Sequence, residues 1–135
     1  MKAARTLSDD PAQAPAPVVL VVEDEVLIRL AVSAYLRECG FQVIEAGSAD
    51  EAVGILQADI KVDVVFSDVN MPGDLDGFAL SQWIGRQRPL LKVVLTSGVT
   101  RTAQEARDLC EHDPILAKPY HHAELERHIR ELLAR

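Results

Sequence analysis

The chain has 135 residues, 48% of them hydrophobic and 26% charged, with 21 acidic against 14 basic side chains and a net charge of −7. That length suits one domain able to bury a core without staples. The acidic balance argues against a nucleic-acid surface, which needs clustered Lys and Arg to displace counterions. The longest unbroken apolar run, Val18 to Val22, is far short of the ~20 residues of a membrane span, and no secretory apolar segment precedes it. A cytoplasmic protein with no membrane and no nucleic-acid partner is therefore expected. Cys39 and Cys110 lie far apart without C-x-x-C spacing, which predicts reduced, packed thiols.

Residues 1–17, MKAARTLSDDPAQAPAP, mix Ala, Pro and small polar residues without periodicity. They predict a mobile tail, with residues 18–135 forming one domain. Val18–Val22 predicts a first strand, apolar throughout and so covered on both faces. Ile28, Val32, Tyr35 and Cys39 recur at i, i+4, i+7 and i+11, the core face of a helix that Gly40 stops. Gln42–Ala46 is a second strand. Ser48 and Glu51 have capping-box spacing before Ala52, Ile55 and Leu56, so a second helix starts there. Val62–Ser67 is a third strand, and Asp76 caps a third helix carrying Phe78, Leu80, Trp83 and Ile84. Lys92–Thr96 is a fourth strand, Thr102 to Cys110 a weakly apolar fourth helix, and Ile115–Ala117 a fifth strand. A last helix, His122 to Leu133, sets Leu125, Ile129 and Leu132 on one stripe. Alternating strands and helices with short connections predict an α/β doubly wound parallel sheet, whose ligands bind beyond the carboxyl ends of the strands.

Those ends collect reactive groups: Glu23, Asp24 and Glu25 after the first strand, Asp68 after the third, Thr96 and Ser97 at the fourth, Lys118 and Pro119 after the fifth. Like-charged carboxylates ~4 Å apart at an effective dielectric of ~20 repel by about 4 kcal/mol, which raises pKa values or demands a counterion. Magnesium answers that need, taking hard oxygen ligands from one or two carboxylates beside a phosphate. Zinc does not, since the cluster holds no His or Cys. A single strand-end aspartate is commonly a cap or turn residue; four segments agreeing is the signal.

The motifs VVEDE (21–25), FSDVNMPGDLDG (66–77), VVLTSG (93–98) and AKPY (117–120) resemble the receiver domain of two-component response regulators, from Val18 to Leu133. The resemblance implies a flavodoxin-like (βα)5 fold with strand order 2-1-3-4-5. It implies Asp68 as phosphoryl acceptor from the phosphohistidine of a sensor histidine kinase or phosphotransfer protein. Glu23, Asp24, Asp68 and the backbone carbonyl of Asn70 would hold Mg2+. Thr96 and Lys118 would bind phosphoryl oxygens, Ser97 would leave room beside Thr96, and a cis bond at Pro119 would aim Lys118 inward. Ile115 occupies the place where the family often carries an aromatic switch residue, GDLDG is one residue longer than the commoner turn, and Glu23 replaces a more frequent aspartate.

The resemblance further implies a stand-alone receiver, not an enzyme beyond its own phosphorylation and slow dephosphorylation, with output through a downstream protein target or as a phosphate sink. Leu27, Leu30 and Ala34 form a second apolar stripe on the first helix, a candidate kinase-docking surface. His121, His122 and His128 lack metal-pair spacing and read as solvated, while Trp83 and Tyr120 read as packing residues. Two other functions remain open at this point: a magnesium-dependent phosphohydrolase with an aspartyl intermediate, and a degenerate receiver that only binds partners.

Overall fold

Three apolar runs buried on both faces, Val18–Val22, Val64–Phe66 and Val93–Leu95, pair side by side in parallel, with a further strand at each edge. The computed structural model describes residues 15–71, 75–97 and 115–135, apart from the side chain of Ile115. Strands β1 (Val18–Val22), β2 (Gln42–Ala46), β3 (Val64–Asp68), β4 (Lys92–Ser97) and β5 (Ile115–Ala117) form one sheet in the order β2-β1-β3-β4-β5. Four helices are described: α1 (Val26–Glu38), α2 (Ala49–Gln57), α3 (Gly77–Gln87) and α4 (His122–Leu133). The expected helix from Thr102 to Cys110, residues 1–14 of the expected tail, Pro72 to Asp74 of the lengthened turn and the Ile115 side chain lie outside the described residues. Ala16 and Pro17 are described, and their carbonyls accept bonds from the Gln42 side chain and backbone at 3.2 and 2.9 Å.

The two faces of the sheet bury separate cores. Leu20, Val22, Val65, Val93 and Leu95 pack with Ala49, Ala52 and Leu56 of α2 and Leu80 and Ile84 of α3. Val19, Val21, Val64, Phe66 and Val94 pack with Val32 and Leu36 of α1 and Leu125, Ile129 and Leu132 of α4. Alternate residues of each central strand thus serve opposite layers, which is why Val18–Val22, Val64–Phe66 and Val93–Leu95 are apolar without a break.

Helix boundaries follow local chemistry. Ser48 Oγ accepts the Glu51 N–H at 3.1 Å and Asp76 Oδ1 accepts the Ala79 N–H at 2.9 Å, each satisfying a donor that a helix start leaves unpaired. Gly40 ends α1 at φ 98°, a left-handed conformation that favours glycine. Three expectations shift. β3 runs Val64–Asp68 rather than from Val62, because pairing with Lys92 begins at Val64 although Val62 is buried. β4 extends to Ser97 through its pairing with Ala117. Ile28 does not face the core: it is 36% exposed, and the buried face of α1 is Val32, Ser33 and Leu36.

Candidate functional site

Strand register decides which side chains meet. Val22 pairs with Ser67, Asp68 with Thr96, and Ser97 with Ala117, so Glu23, Asp68 and Lys118 emerge at one edge of the sheet. Asp68 belongs to the last rung of β3, with apolar Val64 to Phe66 anchoring the strand behind it.

Carboxylate oxygens of Glu23, Asp24 and Asp68 all lie within 4.8 Å of one another; among the described residues no other group of three or more His, Cys, Asp or Glu meets that condition. Glu23 and Asp68 are only 3% and 5% exposed. Lys118 Nζ donates to Asp68 Oδ2 at 2.6 Å, and the Asn70 N–H donates to Asp68 Oδ1 at 3.0 Å. Both oxygens of Asp68 are therefore fixed by donors, a charge-assisted bond on one side and a turn amide on the other. The Glu25 N–H donates to Glu23 Oε2 at 3.1 Å.

Electrostatics follow from this crowding. Burial pushes the Glu23 carboxyl up to about 7; the Glu25 N–H opposes the rise, while the Asp68 charge adds to it. For Lys118, burial pulls downward, but the bond to Asp68 and the charges of Asp68, Glu23 and Glu25 outweigh it and hold the ammonium above its ordinary value. Burial, with the charges of Glu23 and Asp68, pushes the Tyr120 phenol up to about 12.

The other expected site residues sit around this centre. Thr96 is buried, and its hydroxyl donates to the Leu116 carbonyl at 2.9 Å. Ser97 is buried beside it, its carbonyl accepting the Lys118 N–H at 3.0 Å. The Lys118–Pro119 peptide bond is cis. Tyr120 packs edge-on against Phe66, ring centroids 6.0 Å apart, and Trp83 packs against the α2/α3 core. Asn70, expected to offer its backbone carbonyl to the cation, donates its N–H to Asp68.

Two residues that sequence reasoning passed over shape the site. Gly77 opens α3 with its N–H bonded to the Val69 carbonyl at 3.0 Å. A Cβ there would overlap the Asp68 carbonyl oxygen and stand 2.7 Å from Val69 Cα. Only glycine lets the helix press this closely on the strand end, and the Asp-Gly pair before an apolar-periodic run was its available signal. Arg29 bonds to the backbone carbonyl of Glu23 at 2.9 Å; an arginine on a helix carries no comparable mark in the sequence.

Three carboxylates, hard oxygen donors gathered within 4.8 Å and two of them buried, suit a small divalent cation. A lysine and a turn amide hold both oxygens of the central carboxylate at the carboxyl edge of the sheet.

A doubly wound parallel sheet with acids, hydroxyl and lysine at its carboxyl edge is the architecture of a signalling receiver, and the comparisons agree. The family model for the response regulator receiver domain matches residues 19–130, and the chain belongs to that family, the receivers of two-component systems. It is 41% identical over 92 residues to the transcriptional regulatory protein PdtaR of Mycobacterium tuberculosis, an alignment covering 67% of this chain and 44% of that one. The chain spans about half or less of the length of the curated relatives it matches. Among solved structures, the signal receiver domain of a signal transduction histidine kinase from Syntrophus aciditrophicus superimposes with a TM-score of 0.78 at 30% identity, covering 88% of this chain and 91% of that one. The response regulator TrrA from Thermotoga maritima, solved in complex with Mg2+ and BeF, gives a TM-score of 0.77 over 86% and 98% of the two chains; at 24% identity it shows the shared fold. No described helix is long and apolar enough to cross a membrane.

Proposed function

We propose that Asp68 accepts a phosphoryl group from the phosphohistidine of a sensor histidine kinase or phosphotransfer protein, in a cytoplasmic, magnesium-dependent reaction. A carboxylate oxygen of Asp68 forms the new P–O bond as the donor's P–N bond breaks, and the imidazole leaves with a proton from solvent. The observation carrying this reading is the 2.6 Å contact of Lys118 with a carboxylate that shares a 4.8 Å cluster with two others.

Glu23, Asp24 and Asp68 would hold Mg2+ together with the Asn70 carbonyl; when bound, the ion neutralises charge on the carboxylates and the incoming phosphoryl oxygens. The complex recorded for the Thermotoga maritima neighbour supports that choice of ion. Lys118 turns from Asp68 to a phosphoryl oxygen as the acyl phosphate forms. Thr96 can donate to another only by releasing the Leu116 carbonyl, and that release is the switching step. Ser97, small and adjacent, leaves room for the transferred group. The chain acts on itself and does not turn over external substrates.

Leu27 and Leu30 are 81% and 49% exposed and Ala34 is also exposed, which supports docking of a kinase helix on α1. The phosphorylated state is then read by a protein partner or drains phosphoryl groups from the pathway. The phosphohydrolase reading is not favoured, because the relatives are receivers. Incubation with acetyl phosphate followed by intact mass tests the proposal. The wild type should gain one phosphoryl group only with Mg2+, and an equal gain by Asp68→Asn would overturn it.

A further inference from the structure

The acidic loop between β1 and α1 carries two of the three clustered carboxylates, so whatever fixes its backbone fixes the cation site. Its first residue is held at both peptide ends. The Glu23 N–H donates to the Ala46 carbonyl, the last of β2, at 3.0 Å. The Glu23 carbonyl accepts from Arg29 Nη1 at 2.9 Å. The same guanidinium donates through Nε to Glu45 Oε1 at 3.2 Å, so one planar fork ties the tip of β1 to the end of β2.

The neighbours of this fork keep it in place. Glu45 Oε2 accepts from Arg37 Nη2 at 3.2 Å, which leaves both carboxylate oxygens bound by α1. Gly47 follows β2, and a Cβ there would stand 3.3 Å from Arg29 Nη1, crowding the guanidinium. The Arg29 and Glu45 side chains are each only about one-fifth exposed, so the pair is largely shielded from water. What sets this pair apart is the backbone carbonyl it reaches.

We infer that Arg29 is a positioning residue for the cation site, its guanidinium bridging the Glu23 carbonyl and Glu45 so that the Glu23 and Asp24 carboxylates are held at coordinating spacing. Glu45 compensates the guanidinium charge, so the strut orients the loop with little net repulsion of a cation. Residues one step behind metal ligands commonly set affinity in this way. The inference rests on the cation reading above.

The two roles open to Arg29 predict opposite signs. If it acted only through charge, Arg29→Ala would remove one positive charge beside the acids, leaving Glu45 to Arg37 alone, and strengthen Mg2+ binding. If it positions the loop, Arg29→Ala weakens binding by about tenfold despite the gain in negative charge. Titration of 15N-labelled full-length protein with MgCl2, read from amide shifts, measures this without phosphorylation, and unshifted core amides report an intact fold. Arg29→Lys keeps the charge but not the fork and should show an intermediate loss. Mg2+ affinity in Arg29→Ala equal to or tighter than wild type overturns the inference. Should that variant not fold, Arg29→Lys decides: weaker binding supports the strut, wild-type affinity overturns it. Asp24→Asn separates the two levels, since unchanged Mg2+ binding there removes the cation reading itself.

Discussion

Replacing Glu23 by Gln should make the cation-free protein more stable, by an amount that depends on pH. Glu23 titrates at about 7 in the folded chain against 4.5 as the ordinary value, chiefly because it is buried, with the Asp68 charge adding to the rise. Between those values the folded state holds a proton that the unfolded state has lost, so stability falls as pH rises through the window and levels off above about 7. At about 1.4 kcal/mol per pH unit, the gap corresponds to roughly 3 kcal/mol. Lys118 is held above 10.5 and keeps its proton throughout, adding no slope there. Gln has the same shape, can still accept the Glu25 N–H, and carries no charge. Urea unfolding in EDTA at closely spaced pH values should show the Glu23→Gln advantage growing from near zero at pH ~4.5 to roughly 3 kcal/mol above pH ~7. Saturating MgCl2 at high pH should largely erase the difference, because the cation replaces the proton as counter-charge. A difference independent of pH, or an advantage for the wild type at high pH without metal, would refute the reasoning.

Gly77→Ala should destabilise the fold by about 1–3 kcal/mol in urea unfolding, since its Cβ overlaps the Asp68–Val69 backbone; a gain of the size expected from helix propensity would show that α3 does not press on β3. Lys118→Ala should bind Mg2+ as tightly as the wild type or tighter, having lost the competing cation on Asp68, while accepting phosphoryl groups from acetyl phosphate more slowly; weaker Mg2+ binding would contradict the geometry. Leu30→Asp should leave labelling by acetyl phosphate unchanged and slow transfer from the cognate kinase by about fivefold or more. Equal kinase transfer would remove α1 as the docking face.

How much of this was legible depended on what each residue's signal encodes. The central strand Val18–Val22 was readable because burial on both faces demands an unbroken apolar run, and the edge strand Gln42–Ala46, though only partly buried, also matches the pairing residue for residue. The ends of β3 were not, because hydrophobicity reports burial and pairing follows the backbone: Val62 is buried outside the strand, while charged Asp68 pairs with Thr96 inside it. Ile28 kept the helical period yet lines a shallow groove with Lys118, Pro119, Tyr120 and His122, in a first turn of α1 where Val26 and Leu27 are exposed as well. The Glu23, Asp24, Asp68 and Lys118 set was visible because a parallel sheet brings strand ends to one edge whatever their sequence separation. Gly77 and Arg29 stayed hidden, since one acts through an absent Cβ and the other through a carbonyl, and neither leaves a periodic or charge-pattern trace.

The central claim is that Asp68 is the nucleophile of this cluster. It is tested most directly by reducing the acetyl-phosphate-treated protein with borohydride, which converts an acyl-phosphate aspartate to homoserine, and sequencing the peptides by mass spectrometry. Homoserine is expected at position 68 alone, dependent on Mg2+. Conversion at position 24, or a phosphoryl group that resists borohydride because it sits on a histidine, would contradict it.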